Sequence, residues 1–314
     1  MTDTVPNPGE PSRFRRIWES DVMWSFRHSP VAIVSAFVSL VMILGAILAP
    51  LYAPQDPFNP ATLNLMDGLT APGKANEFTG KTFLLGSDSQ GRDMFSAVLY
   101  GTQVSLLVGA ASVLFSLVIG VFLGLMAGYV GGKTEAVIMR VADIQLSFPA
   151  ILIALLIFGV ARGVIPPAQQ EDATLLLLIL AIGLSNWAQY ARTVRGSTLV
   201  EKNKEYVQAA RVIGRSPLLI MLKHILPNVM GPVTVIATIN LALAVIEEAT
   251  LSFLGVGMPP TQPSLGTLIR VGQQFLFSGE WWILLFPALT LVILALAINL
   301  LGDWLRDALN PRLR

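Results

Sequence analysis

"EYVQAARVIGRSPLLIMLKHILPN", residues 205–228, is a polar-to-mixed segment set between two long apolar stretches. Its first half, up to Ile213, is made of good helix formers. Gly214 stands where a left-handed C′ residue ends a helix. Ser216 followed by Pro217 has the form of an N-cap and a first-turn proline, so the spacing predicts a second short helix over 217–225, stopped by Pro227. A helix of about nine residues is marginal alone, since isolated helices need roughly 12 to 15, and so it must dock on something. Leu218, Leu219, Leu222 and Ile225 offer the apolar side, while Arg215 and Lys223 suit a polar surface. On periodicity alone the segment fits an amphipathic helix on anionic lipid as well as it fits a protein-docking site.

The surrounding chain is a membrane sequence. Hydrophobic residues make up 54% of it and charged residues 13%, with a mean hydropathy of +0.65 over 314 residues. A soluble domain carries about 25% charged residues. Six stretches have the length that a helix needs to cross hydrocarbon: 31–52, 100–127, 137–160, 174–190, 229–251 and 282–301. The expected fold is therefore all-α and integral to the membrane, with six transmembrane helices. Its parts are a tail over 1–30, a first helix over 31–53, an external connection over 54–99, and five further helices over 100–314 interrupted by a loop over 191–228. No small-residue cleavage pattern follows the first span, which reads as an uncleaved anchor.

Positive charge sets the orientation. Sixteen of the 21 lysines and arginines fall on the side of the tail, the 191–228 loop and the C-terminus, which makes that side cytoplasmic. The other side holds Lys74, Lys81, Arg92, Arg162 and Arg270. A net charge of +1 argues against a nucleic-acid partner. The absence of cysteine removes disulfides and thiolate metal sites. An intramembrane enzyme would need a nucleophile with its base, or a metal cluster, and the two histidines, His28 and His224, lie outside the spans. A channel or secondary transporter, needing no ATPase, leaves the ordered 205–228 segment without a purpose.

"LLGSDSQGRDMF", residues 84–95, has the glycine spacing of a phosphate-binding loop, with Gly86 and Gly91 followed by Arg92. Asp93 stands where a magnesium-holding hydroxyl belongs and would repel phosphates, and the stretch lies on the external side. It reads instead as a glycine-bearing turn around Asp88, closed by Asp93 as the N-cap of a helix starting near Met94. Within the spans, Glu247 and Glu248 are the candidates for a transport pathway, because a buried charge in lipid needs a partner or a cavity. Arg140 and Asp143 are spaced to pair on one helix face. Asn186, Gln189, Asn240 and Asn299 suit interhelical hydrogen bonds. Trp281 and Trp282 suit the interfacial aromatic belt, and "GDWLRDALNPR" a short terminal helix ended by Asn310 and Pro311.

The 205–228 segment resembles the EAA loop of the membrane subunits of ATP-binding cassette importers. Gln208, Ala209, Ala210, Gly214, His224, Ile225, Leu226 and Pro227 fall at that pattern's spacing, with Gln208 replacing its acidic residue and His224 an isoleucine. "LLGSDSQGRDMFSAVLYGTQVSLLVG", "GLMAGYVGGKTEAVIMRVADIQLSFP", "EEATLSFLGVGMPPTQPSLGTLI" and "FPALTLVILALAINLLGDWLRDALNPR" look like the corresponding parts of dipeptide, oligopeptide and nickel importer permeases, in particular the second of their two unlike permeases. The resemblance implies a type I importer permease in the bacterial inner membrane, multi-pass, with both termini cytoplasmic and no cofactor or ATPase site of its own. ATP and magnesium would be used by two cytoplasmic ATPase partners. A second homologous permease would complete the pathway, and an external binding protein would deliver the cargo to the outer connections. Peptides are the implied cargo, with nickel complexes, opines and glycosides as alternatives. The implied coupling residues are Glu205, Tyr206, Gln208, Ala209, Ala210, Gly214, Arg215, Ser216, Pro217, Leu218, Leu226 and Pro227. Glu248 coincides with the family's acidic residue before "LSFLG". Gly86, Asp88, Gly91, Arg92 and Asp93 match its L-G-T-D-x-x-G-R-D turn, with Ser87 for threonine.

Overall fold

The structure, a computed structural model, describes residues 21–308. Those residues form helices and two isolated bridges, with no strand among them. In chain order the helices of eight residues or more are α1 (Asp21–His28), α2 (Pro30–Ile47), α3 (Met94–Val130), α4 (Gly132–Leu146), α5 (Ala150–Val164), α6 (Gln170–Glu201), α7 (Glu205–Val212), α8 (Pro217–Phe253), α9 (Leu265–Gln273) and α10 (Trp282–Ala308). The tail over 1–20 and the expected stop at Asn310 and Pro311 lie outside the described residues.

Five helices, α2, α3, α6, α8 and α10, are long and apolar enough to cross a membrane. The third expected span is broken: α4 and α5 meet at 98°. The break falls at Pro149, which is extended with ψ of 131° and whose missing N–H cannot continue the ladder. Counting that bent pair as one span gives six. At the other end of the chain, the expected separate terminal helix is instead the last turns of α10, which runs unbroken to Ala308. Trp304 in those turns donates to the Ser25 hydroxyl of α1 at 3.3 Å.

α3 and α6 form the central pair, and glycine decides how close they come. Gly120, Gly124 and Gly128 recur every four residues along one face of α3. A Cβ on Gly120 would lie 2.4 Å from the Tyr190 Cβ, one on Gly124 2.6 Å from the Ala191 carbonyl oxygen, and one on Gly128 2.6 Å from the Thr198 Cβ. Small residues at this spacing let two backbones touch inside a membrane, where lipid tails offer no hydrophobic drive of their own. The Lys202 ammonium closes the end of the seam on the Gly128 carbonyl at 2.7 Å.

α4 lies across the same end of α6, packing Ala142 against Trp187, Ala188 and Ala191, with ion pairs along the contact. Asp143 pairs with Arg192 at 2.5 Å, not with Arg140 as its helical spacing suggested. Glu135 accepts from the Arg195 Nε at 2.8 Å. Both arginines are available because α6 continues in helix through Glu201, eleven residues past the end of its apolar stretch at Tyr190.

Candidate functional site

The segment after α6 folds into a helix, a turn and a second helix. α7 ends at Gly214, with φ of +73°. The Gly214 N–H donates to the Arg211 carbonyl at 3.0 Å and the Arg215 N–H to the Ala210 carbonyl at 3.1 Å. These are the paired bonds of a Schellman turn, which needs a left-handed residue at this position. Ser216 is extended at the N-cap position, although its hydroxyl makes no capping bond, and Pro217 opens α8 as its fixed φ favours.

Pro227 does not stop the second helix. One α-turn over Pro217–Ile220 passes into a π-turn over Met221–Ile225 and then, without a break, into Leu226–Phe253. The Leu226 N–H reaches back to the Met221 carbonyl. A proline inside an α-helix clashes with the carbonyl four residues earlier, here that of Lys223. The widened turn opens the ladder at that place, so the chain passes Pro227 and stays helical.

The segment has an inner and an outer side. Val207, Ala210, Ile220 and Ile225 are buried against Val121, Leu125, Tyr190 and Val194. Glu205, Tyr206, Gln208, Ala209, Arg215, Ser216, Pro217, Leu218 and Pro227 are exposed, and Leu226 is half-buried. Of the adjacent alanines, only Ala210 is needed small by the fold. Val212 (87%), Ile213 (71%) and Leu218 (59%) make the outer tip apolar. Tyr206 ties the tip to both flanking helices, donating to Glu201 and accepting from the Asn228 amide at 3.2 Å. Burial, together with the bond to Glu201 and its charge, pushes the Tyr206 phenol up to about 12.

Glu247 and Glu248 are adjacent in sequence but face different surroundings. Glu248 is fully buried and accepts from the Ser105 hydroxyl at 2.6 Å and the Ser252 hydroxyl at 2.7 Å. Those hydroxyls in turn accept from the backbone N–H groups of Leu265 and Met258. Glu248 thus fastens α3, α8 and the start of α9 to one another inside the chain. Glu247 is half-buried and accepts from the Asn186 amide of α6 at 2.8 Å.

At the opposite end of the bundle, residues 86–94 form a knot that is buried apart from Ser89 and Gln90. Asp88 Oδ1 accepts from the Gln90 and Arg92 N–H groups at 2.8 and 2.9 Å, and Asp93 caps α3 through the Ser96 N–H at 2.8 Å. Burial pushes the Asp88 carboxyl above its ordinary range, opposed by those bonds and by the Arg92 charge. Gly86 and Gly91 have φ of +79° and +75°. Trp282 is not a belt residue, since it is buried and its indole N–H donates to the Ser87 carbonyl at 3.0 Å. A Cβ on Gly91 would lie 2.0 Å from the Asn64 carbonyl oxygen, a collision with backbone. Gly91→Ala is therefore expected to destabilise this lobe by about 3 kcal/mol or more and to open it to limited proteolysis, with wild-type resistance as the contrary result.

Sequence and structure comparisons converge on one family. Residues 120–314 match the family described as "Binding-protein-dependent transport system inner membrane component", and residues 17–72 match the N-terminal transmembrane domain of oligopeptide transport permease C. The chain belongs to this permease family. A di/tripeptide transport permease of Pseudomonas aeruginosa is 35% identical over 97% of this chain and 94% of its own. An oligopeptide transport permease of Bacillus subtilis is 36% identical over 95% and 90%. The inward-facing MetNI methionine ABC transporter shares the fold, with a TM-score of 0.53 at 22% identity over 69% of this chain and 97% of that one. The permease is thus an inner-membrane protein of the type I importer fold. Among its candidate residues, those of 205–227 lie on one helix–turn–helix, mostly exposed but with Ala210 buried, those of 86–93 form one buried turn, and the two glutamates face different surroundings. The Gly120, Gly124 and Gly128 seam is a further element, which the sequence reading passes over despite its regular spacing.

Proposed function

We propose that this permease forms half of the pathway of an ATP-driven importer of di- or oligopeptides. An external binding protein delivers the peptide, a second permease completes the pathway, and two cytoplasmic ATPases use ATP and magnesium. The loop-bearing end then faces the cytoplasm, in keeping with the lysine and arginine distribution, and the permease binds no nucleotide or cofactor itself. The observation that carries this reading is the apolar tip, made by Val212 and Ile213 at the end of α7 and by Leu218 at the start of α8, the helix that continues into a membrane span. An exposed apolar tip on an ordered turn calls for a protein partner, and a partner that moves the tip also moves α8. The relatives named for di-, tri- and oligopeptide transport support the cargo.

The test is to purify the assembly from native membranes, identify its subunits, and measure uptake of a labelled dipeptide into proteoliposomes. Co-purification with ATPases and uptake that requires ATP are expected. Recovery without an ATPase, or uptake that persists when ATP is withdrawn, would sink the reading. Replacing both Leu218 and Leu222 by aspartate should weaken ATPase retention by at least about tenfold, since each leucine contributes roughly 1.5–3 kcal/mol when buried. Unchanged retention would remove the tip from the docking surface.

A further inference from the structure

The exposed faces of the long helices are not alike. α2 presents Leu40, Val41 and Leu44, and α10 presents Leu285, Leu289, Val292 and Leu296, all suited to lipid. The seam between α6 and α8 carries a row of polar residues among apolar ones. Asn186, Gln189 and Thr193 follow one another at three and four residues on α6, and Asn240 and Glu247 lie seven apart on α8, so each set occupies one helix face. Between them is an open cavity of about 370 Å³ whose polar lining is Gln189, Arg192, Thr193 and Asn240 and whose apolar lining is Leu146, Ile236, Ile239 and Leu243. This lies within the range of about 300–1,000 Å³ typical of small-molecule sites. Asn240, which also lines this cavity, is only 5% exposed, and its amide nitrogen is buried with no hydrogen-bond partner within 3.5 Å. Glu247 receives one bond on Oε2, from Asn186.

A polar stripe of this kind has no place against hydrocarbon, where unsatisfied amides and carboxylates are heavily penalised. We infer that the α6–α8 seam is this permease's wall of the peptide pathway, with the amides of Gln189 and Asn240 matching peptide N–H and C=O groups and Glu247 receiving the peptide's ammonium group. The inference rests on the peptide-importer reading above. Seven residues of helix rise about 10 Å, close to the length of three extended residues at about 3.3–3.6 Å each. The stripe therefore meets a di- or tripeptide along its whole length. Glu248, one residue on, has both oxygens committed inside the chain and takes no part in cargo contact.

The natural chain has no cysteine, so single thiols report their own surroundings. Gln189→Cys, Asn240→Cys and, as a lipid-facing control, Leu296→Cys would be placed in the assembled complex in proteoliposomes. Each would be treated on both sides with a charged methanethiosulfonate reagent, and modification of this chain read by mass. The first two are expected to react, with rates differing by about fivefold or more between nucleotide-free and ATP-trapped states, and the control to stay unmodified. Failure of both to react in either state, in a complex that still transports, assigns the seam to a permease–permease contact and overturns the inference. In the second arm, Glu247→Gln should lower dipeptide uptake by about tenfold or more while Glu247→Asp restores most of it. Wild-type uptake by Glu247→Gln removes the ammonium contact. Labelling of both seam cysteines, together with a wild-type complex that takes up no peptide, refutes the cargo and leaves the pathway wall standing.

Discussion

Gly124→Leu is expected to lower the melting temperature and the yield of the folded permease sharply. A Cβ alone at this position meets the Ala191 carbonyl oxygen at 2.6 Å and the Val194 Cβ at 2.8 Å, and a leucine adds three further carbons to that collision. The obstacle is partly backbone, so no rotamer change relieves it and α3 and α6 must move apart. Overpacking usually costs about 1–3 kcal/mol, and forcing two main chains apart belongs at or above the top of that range, roughly 3–5 kcal/mol. Against a total stability of about 5–15 kcal/mol, this removes much of the margin. Thermal melting of the detergent-solubilised protein, followed by size-exclusion chromatography, measures the effect. Val118→Leu, on an exposed stretch of the same helix, is the control and should melt like the wild type. Equal melting of Gly124→Leu and wild type would show that the seam is not what holds the pair together.

Gly214→Val tests the other end of the argument, because it should leave the fold intact and remove transport. Nothing lies within 4 Å of the position a Cβ would take, so there is no collision. The cost is conformational: φ of +73° is disfavoured by roughly 1–2 kcal/mol for an ordinary side chain, and by more for a β-branched one. Each 1.4 kcal/mol shifts the turn's population about tenfold. Membrane insertion and melting should therefore stay near wild type while ATP-driven uptake falls by about tenfold or more. Gly214→Asn, which tolerates the left-handed region, should keep most of the activity. If the valine variant transports normally, the turn is not the element that links ATPase to span.

What the sequence made legible was local. Gly214 as a C′ residue, Pro217 as a first-turn proline and Asp93 as an N-cap each follow from the conformational limits of one residue, and each is found where expected. Pro149 and Pro227 show the limit of that logic. Hydropathy carries across Pro149 although the chain turns by 98° there, whereas Pro227 reads as a stop although a π-turn lets the helix pass. Distant partners were out of reach. Ser105 meets Glu248 across 143 residues of sequence, and nothing local separates Glu248 from Glu247. Trp282 suits a membrane interface by composition, yet the Ser87 carbonyl claims its N–H from 195 residues away. Asp143 had a plausible partner three residues off in Arg140, and lost it to Arg192 because α6 outlasts its apolar stretch.

The π-turn over Met221–Ile225 also fixes an angle. Successive residues of an α-helix are separated by about 100° around its axis. A turn holding one residue more than the α-ladder sets the azimuth of Leu218 and Leu222 relative to Asn240 and Glu247 farther along the same helix. Deleting one residue from 221–225 would leave composition, hydropathy and helix length almost unchanged, yet rotate the tip about a quarter of a circle away from its present bearing. The phase between the proposed docking face and the proposed cargo face is therefore written into the count of residues in that one turn.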